Sequence, residues 1–149
     1  MLVLCVLRKE ARMELTALPT DLGELLARLC MSFVFLWSGI TKACDRSSGK
    51  AEIAALGLSS PGLFLTLTVV CQIVAGLMVL LGFWARLGAF LLLGFTVVAT
   101  LLAHVSQGFS GEKGKQQLTT TFEHLAIVGG FMFLIIYGAG RLSIDSWLR

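Results

Sequence analysis

The sequence has little charge. Charged residues make up 14% of its 149 residues and hydrophobic residues 56%, whereas an ordinary soluble domain carries about 25% charged residues. Proline is also scarce, with two in the chain, so little interrupts a helix. Long apolar runs occupy well over half of the chain, and too few polar residues are left to cover a separate soluble core. The composition therefore predicts a polytopic membrane protein.

Several classes of protein are excluded by what the sequence lacks. The formal net charge is only +3, and no run of Lys and Arg alternates with aromatic residues as a nucleic-acid-binding surface would require. The cysteines form no C-x-x-C pair and no Cys/His spacing of the kind that binds zinc; they are Cys5, Cys30, Cys44 and Cys71. No flavin, haem, iron–sulfur or dinucleotide motif occurs. We therefore predict no nucleic-acid partner, no metal site and no cofactor held covalently or by a motif.

Four apolar segments are long enough to cross a bilayer. The hydrocarbon core is about 30 Å thick and takes roughly 20 apolar residues in a helix, and this length is reached at about residues 25–43, 63–84, 87–107 and 122–142. Only Ala85 and Arg86 separate the second segment from the third, so these two helices form a tight hairpin. The pattern predicts an all-α integral membrane four-helix bundle, antiparallel and up-down-up-down. Residues 25–149 form this domain, and residues 1–24 form a polar lead in which Met13 is an alternative start.

The basic residues favour one orientation. An even number of spans puts both termini on one side of the membrane, and that side carries seven Lys and Arg residues against five on the other. The seven are Arg8, Lys9, Arg12, Arg28, Arg86, Arg141 and Arg149, and the five are Lys42, Arg46, Lys50, Lys113 and Lys115. Because cytoplasmic loops carry the excess of basic residues, we expect both termini in the cytoplasm.

Ionisable residues near the spans fall into two layers, one at each face of the membrane. Such residues are costly in hydrocarbon unless they face protein, water or headgroups. One layer contains Glu24, Arg28, Arg86, Arg141 and Asp145. We interpret this layer as structural and topological: the arginines extend to the lipid headgroups, and the two acids are their partners.

The opposite layer combines Lys42, His104 and Glu123. A cation, an imidazole and a carboxylate at one depth can bind a polar headgroup and move protons. A second interpretation stays open, in which a salt bridge from Lys42 to Glu123 only holds the first and fourth spans together and His104 is hydrogen-bonded at an interface. His124 lies about 100° around the helix from Glu123, and we expect it to face headgroups or a loop.

Short motifs at the helix ends occur in a characteristic order: "FLWSGITK", "LLGFWARLGA", "ATLLAH", "FEHLAIVGG" and "GAGRLSIDSWL". In this order the chain, from about Leu25 to its C-terminus, resembles the DoxX family of small four-helix membrane proteins. The most specific pieces are the aromatic-x-Gly-x-x-Lys that ends at Lys42 and the Gly-x-Gly-Arg-x-Ser-x-Asp that ends at Asp145. The chain departs from the family pattern at Ala139, where many relatives have proline.

The resemblance implies a multi-pass protein of the bacterial inner membrane, associated with redox chemistry. Founding members of the family look like membrane subunits of a thiosulfate:quinone oxidoreductase, which makes a quinone the expected cofactor and leaves the catalytic residues unassigned. We expect Trp37, Lys42, His104 and Glu123 to line a quinone-headgroup pocket, in which Lys42 and His104 donate to the quinone oxygens and Glu123 relays protons. Electrons then come from a redox partner protein. The alternative is a non-catalytic membrane scaffold that anchors a partner, and a homo-oligomer fits either function.

Overall fold

The computed structural model describes the backbone over residues 2–102 and 111–148 and the side chains over residues 20–102 and 114–148. This part of the chain is helical and contains no strand, which confirms the predicted all-α class. Its helices are α1 (Leu2–Cys44), α2 (Arg46–Ala55), α3 (Pro61–Leu81), α4 (Ala85–Thr100), α5 (Gly111–Tyr137) and α6 (Ile144–Trp147).

Three of these helices contain segments long and apolar enough to cross a membrane, namely Thr20–Cys44, Pro61–Leu81 and Gly114–Tyr137. The helix α4 is also apolar but has only 16 residues. The predicted third span, 87–107, continues past α4 into residues outside the described part of the chain. At the N-terminus, α1 begins at Leu2, so the predicted boundary after residue 24 does not coincide with a helix end.

The starts and ends of the helices follow from local chemistry. Asp45 caps α2 because its carboxylate accepts hydrogen bonds from the Ser47 hydroxyl at 2.6 Å and the Ser48 N–H at 3.0 Å. These two bonds lower the pKa of the Asp45 carboxyl, so this cap is fully formed at neutral pH and is lost as the pH falls through the lowered pKa. Pro61 occupies the first turn of α3, where its missing N–H costs nothing. At the other end, Gly82 stops α3 in a left-handed conformation.

The helices pack around α3, which lies against both α1 and α4, while α4 also packs on α5. Small residues allow close approach: Gly76 of α3 lies against Leu36 of α1. The main core joins α1 to α5 through the rings of Phe35 and Phe131, whose centroids are 5.4 Å apart. The cluster of buried apolar residues lies toward the α3–α4 turn, in the second half of α3 and α5 and the first half of α4.

The outer surface of the described helices is apolar. Phe90, Leu125 and Phe133 are each at least 62% exposed, although exposed patches of large apolar residues are unfavourable in water. A bilayer solvates such side chains, whereas the polar backbone is satisfied within each helix. The structure thus supports the predicted membrane location.

The C-terminal segment is fastened to the turn between α3 and α4. We call this contact the terminal clasp; it is made by Arg28, Gly82, Ser143 and Asp145. The Asp145 carboxylate accepts hydrogen bonds from the backbone N–H groups of Trp84 at 2.8 Å and Ala85 at 3.1 Å. The Asp145 N–H donates to the Gly82 carbonyl oxygen at 2.8 Å. Asp145 therefore satisfies the free donors at the start of α4 from a distant part of the chain.

Arg28 completes the terminal clasp from within α1. Its side chain is 2% exposed, and its guanidinium donates to the carbonyl oxygens of Leu142 and, at 3.4 Å, Leu80. Leu80 lies in the last turn of α3, whose carbonyls lack helical partners. The expectation that Arg28 extends to the lipid headgroups is therefore wrong, because backbone carbonyls inside the protein accept its hydrogen bonds instead.

The other two arginines of this layer are exposed. Arg86 donates to the carbonyl oxygen of Ile136 at 3.3 Å, near the end of α5. Arg141 forms an ion pair with Asp21 at 3.9 Å, so its acidic partner is neither of the two acids predicted from the sequence. An exposed pair of this kind contributes no more than about 1 kcal/mol. The contacts that hold this end of the protein together are consequently those of the terminal clasp.

Replacing Asp145 with alanine is expected to lower the free energy of unfolding by about 1–2 kcal/mol, the usual cost of a lost helix cap. The reason is that two backbone N–H groups at the start of α4 lose their acceptor. Denaturant unfolding in detergent micelles, followed by far-UV circular dichroism, measures the change. Asp145→Asn keeps one acceptor oxygen and should lose less. Equal stability of the three proteins would contradict the capping role.

Gly82 and Gly57 offer a matched comparison, because both have a left-handed backbone, with φ of +67° and +76°. A Cβ added at Gly82 would collide with Arg28 and Ser143, whereas one at Gly57 meets nothing within 4 Å. Gly57→Ala should cost only about 1–2 kcal/mol of backbone strain. Gly82→Ala should cost roughly 1–3 kcal/mol more, through overpacking of the terminal clasp. The same unfolding measurement applies, and equal losses would disprove the close packing at Gly82.

Candidate functional site

A half-open cavity of about 600 Å³ lies between the helices and is lined by residues of α1 to α5. Most of its wall is apolar and includes Phe35, Leu67, Leu91 and Ile127. This volume falls within the range of small-molecule pockets, roughly 300–1,000 Å³. Few polar groups line the cavity, so these few determine what it can bind.

Four polar side chains lead from α2 into this cavity, and we call them the polar chain: Glu52, Lys42, Ser38 and Gln72. Glu52 and Lys42 form a salt bridge of 3.3 Å. The Lys42 Nζ and the Gln72 Nε2 both donate to the Ser38 Oγ, at 3.4 and 3.2 Å. The polar chain thus crosses from α2 through α1 to α3 and connects an exposed carboxylate with a buried amide.

Gln72 ends the polar chain with an unpaired atom. Its side chain is 4% exposed, and its Oε1 has no hydrogen-bond partner within the described part of the chain. Exchanging the oxygen and nitrogen positions of the amide would leave Nε2 unpaired instead. A buried polar group without a partner costs about 1–3 kcal/mol. A ligand with a polar group can therefore gain a hydrogen bond at Gln72 that the described protein groups do not make.

His124 of α5 also lines the cavity. Its Nδ1 lies 2.7 Å from the Oγ1 of Thr100, and the same Oγ1 donates to the Thr96 carbonyl oxygen at 2.6 Å. The Thr100 hydroxyl thus links the imidazole ring to the backbone of α4. His124 therefore faces the protein interior, and the expectation that it faces headgroups or a loop is wrong.

The residues predicted to form a pocket are not all brought together. Lys42 lines the cavity, but its ionic partner is Glu52 and not Glu123, so the interpretation of a Lys42–Glu123 salt bridge is wrong. Glu123 is exposed on α5. Trp37 is 62% exposed, stacks on its neighbour Phe33 and lies outside the cavity wall. His104 falls outside the described residues.

Sequence reasoning did not assign several polar residues of the cavity wall, among them Ser38, Glu52, Gln72 and His124. Ser38 lies within the first motif, and Gln72 is an amide in an otherwise apolar span, so each carried a signal. His124 carried none, because helical phase alone does not tell which side of α5 faces its neighbours. Among the described side chains, no group of three His, Cys, Asp or Glu is placed to hold a metal ion.

The amino-acid sequence of this chain is similar to those of several known membrane proteins. The DoxX family model matches residues 23–105. Inner membrane protein YqjF of Escherichia coli (strain K12) is 34% identical over 129 residues, covering 87% of this chain and 94% of the relative. Inner membrane protein YphA of the same strain is 26% identical over 121 residues, covering 81% and 86%. An uncharacterized membrane protein of Mycobacterium tuberculosis (strain ATCC 25618 / H37Rv) is 33% identical over 127 residues, covering 81% and 78%. No solved structure matches the chain.

Gln72→Met is expected to leave the free energy of unfolding within about 1 kcal/mol of the wild-type value, or to raise it. Methionine has a similar volume, and its substitution removes a buried amide that is only partly hydrogen-bonded. Denaturant unfolding in micelles measures the change. Leu65→Ala, which truncates a fully buried side chain, sets the scale at about 2–5 kcal/mol. A loss of that size for Gln72→Met would indicate that Gln72 is required for folding.

Proposed function

The chain belongs to the DoxX family of membrane proteins, and we propose that it is a redox-associated subunit of the inner membrane that binds a quinone. The quinone ring occupies the apolar cavity, with one oxygen near Lys42 and Gln72. One observation carries the proposal: the polar chain brings an ammonium donor and a partly unpaired, buried amide to a cavity that is otherwise apolar.

The chemistry of a quinone fits this arrangement. Its ring and its tail need apolar contacts, whereas its oxygens need hydrogen-bond donors when they leave water. Lys42 provides a charged donor, and charged donors make the stronger hydrogen bonds. Its side chain is only 23% exposed, so water competes little for the ammonium group. Apolar side chains of α3 and α4 that line the cavity provide the contacts for the ring and the tail.

Reducing a quinone to a quinol consumes electrons and protons in equal number. In this proposal, His104 is a second hydrogen-bond donor to the quinone and Glu123 is the proton relay. Both roles are inferred from the sequence. The exposure of Glu123 allows exchange of protons with the surroundings. His124 joins them at the cavity wall, where its Nδ1 is hydrogen-bonded to the Thr100 hydroxyl. The electrons come from a redox partner protein that docks on the membrane subunit.

The proposed topology has four antiparallel spans and cytoplasmic termini. Two observations support it: α3 and α4 pack together, and only Gly82, Phe83 and Trp84 separate them. The helix α4 supplies the first part of the proposed third span, 87–107. The orientation rests on the seven basic residues of the terminal side against five on the other.

Titration of a short-chain quinone analogue into the purified protein tests the function. Lys42→Ala and Gln72→Met are each expected to raise the dissociation constant by about tenfold or more, since a hydrogen bond that involves a charged or buried group contributes at least about 1.4 kcal/mol. Lys50→Ala is the matched control, because Lys50 is an exposed lysine of α2 outside the cavity wall. Intrinsic tryptophan fluorescence or calorimetry reports the binding.

Two outcomes would refute the quinone site. One is that the wild-type protein does not bind the analogue. The other is that Lys42→Ala and Gln72→Met bind it with the affinity of Lys50→Ala. Either result would favour the alternative of a non-catalytic scaffold that anchors a partner protein.

A further inference from the structure

The helices α3 and α4 are close together at one end and apart at the other. Near their turn, a Cβ added at Gly88 of α4 would lie 2.8 Å from the Cβ of Met78 and 2.9 Å from the Ala75 carbonyl oxygen of α3. Further along α4, a Cβ added at Gly94 would meet nothing within 4 Å. Beyond this contact, residues of both helices line the cavity, among them Gln72 of α3 and Phe95 of α4, so the two helices are separated there.

The space between the two helices opens sideways. Several side chains line the cavity and are also exposed on the outer surface: Phe64 and Leu67 on α3, and Leu91 and Val98 on α4. A residue that does both borders an opening. We call this opening the lateral gap; Phe64, Leu67, Leu91, Gly94 and Val98 border it.

The lateral gap faces hydrocarbon, because its borders lie within strongly apolar segments. The α3 segment has a mean hydropathy of 2.4 over the most apolar part of its 21 residues. Another side of the cavity is formed in part by α2. There, α2 packs its buried Ile53 with Leu65 of α3, and the Lys42–Glu52 salt bridge lies beside it.

We propose that the cavity receives its ligand from the bilayer through the lateral gap, so that the substrate class is a lipid-dissolved amphiphile and not a water-soluble metabolite. The polar head enters first and stops at Gln72, whose buried amide has one unpaired atom that hydrogen-bonds to it. Toward a quinone oxygen, which only accepts, this atom is the amide nitrogen in the exchanged orientation of the side chain. The apolar tail stays between α3 and α4 or in the lipid. The inference rests on the proposed function only in taking a quinone ring as this head.

Cys71 provides a reporter of access, because its thiol lines the cavity on α3 and is partly buried. The experiment uses the full chain in lipid vesicles, with Cys5, Cys30 and Cys44 replaced by serine. A lipid-soluble maleimide should label Cys71 at mildly alkaline pH, and a charged, membrane-impermeant maleimide should label it at least about tenfold more slowly, the rate effect of an added barrier of about 1.4 kcal/mol. Labelling in denaturant confirms that the thiol is competent.

Gly94→Trp closes the lateral gap with an indole ring. It should slow labelling by the lipid-soluble reagent by about tenfold or more. Gly129→Trp is the matched control, because a Cβ there also meets nothing within 4 Å, Gly129 is exposed on α5, and it does not line the cavity. This variant should be labelled at the original rate. Circular dichroism of both variants checks that the helical content is retained.

Three results would overturn the lateral gap: equal labelling by the two reagents, no labelling by the lipid-soluble reagent, or an unchanged rate in Gly94→Trp. The proposed function is tested separately, by adding a quinone analogue before the maleimide. Protection of Cys71 supports both proposals. Labelling through the gap without protection by the quinone leaves the lateral gap standing and removes the quinone as its occupant.

Discussion

The guanidinium of Arg28 donates from within α1 to the carbonyl oxygens of Leu80 and Leu142, and the arrangement of the helices depends on this contact. A cation in a nonpolar environment is costly unless the protein supplies its hydrogen-bond partners. The C-terminal ends of helices offer such partners, because their last carbonyls are unpaired. The penalty for leaving Arg28 unsatisfied thus favours one position of α1 relative to the end of α3 and to the C-terminal segment.

Asp145 fixes the start of α4 in the same way that Arg28 fixes the end of α3. Its carboxylate occupies the N-terminal end of α4, where the helix dipole and free N–H groups favour a negative charge. The turn between α3 and α4 is therefore bound on both sides. The Arg28 cation lies at the end of α3, and the Asp145 anion lies at the start of α4. Near this turn, α3 and α4 approach closely at Gly88, which has no side chain to keep them apart.

The opposite end of the protein has no comparable fastening between α3 and α4 in the part that the structure describes. There, the helices separate and leave the cavity. Its polar chain contributes little to stability, since the Lys42–Glu52 bridge is largely exposed on the Glu52 side and one amide atom of Gln72 is unpaired. Unsatisfied buried groups occur at both ends, since the Nε of Arg28 also has no partner among the described groups; the unpaired amide of the polar chain differs in lining a cavity. The two ends thus differ: one is held together by the terminal clasp, and the other contains the cavity in which a ligand is proposed to bind.

The sequence by itself determined the all-α class, the membrane environment and the approximate positions of the apolar segments, because the length and hydropathy of a segment decide whether it is soluble in hydrocarbon. Tertiary structure decided which polar groups meet. Arg28 was expected at the headgroups and is buried, and His124 lines the cavity where Glu123 was expected. Helical phase assigns residues to one side of a helix, but it does not tell which side faces a neighbouring helix. That choice depends on how several helices pack at once and on which buried donors find acceptors, which is a property of the assembled fold and not of any single segment.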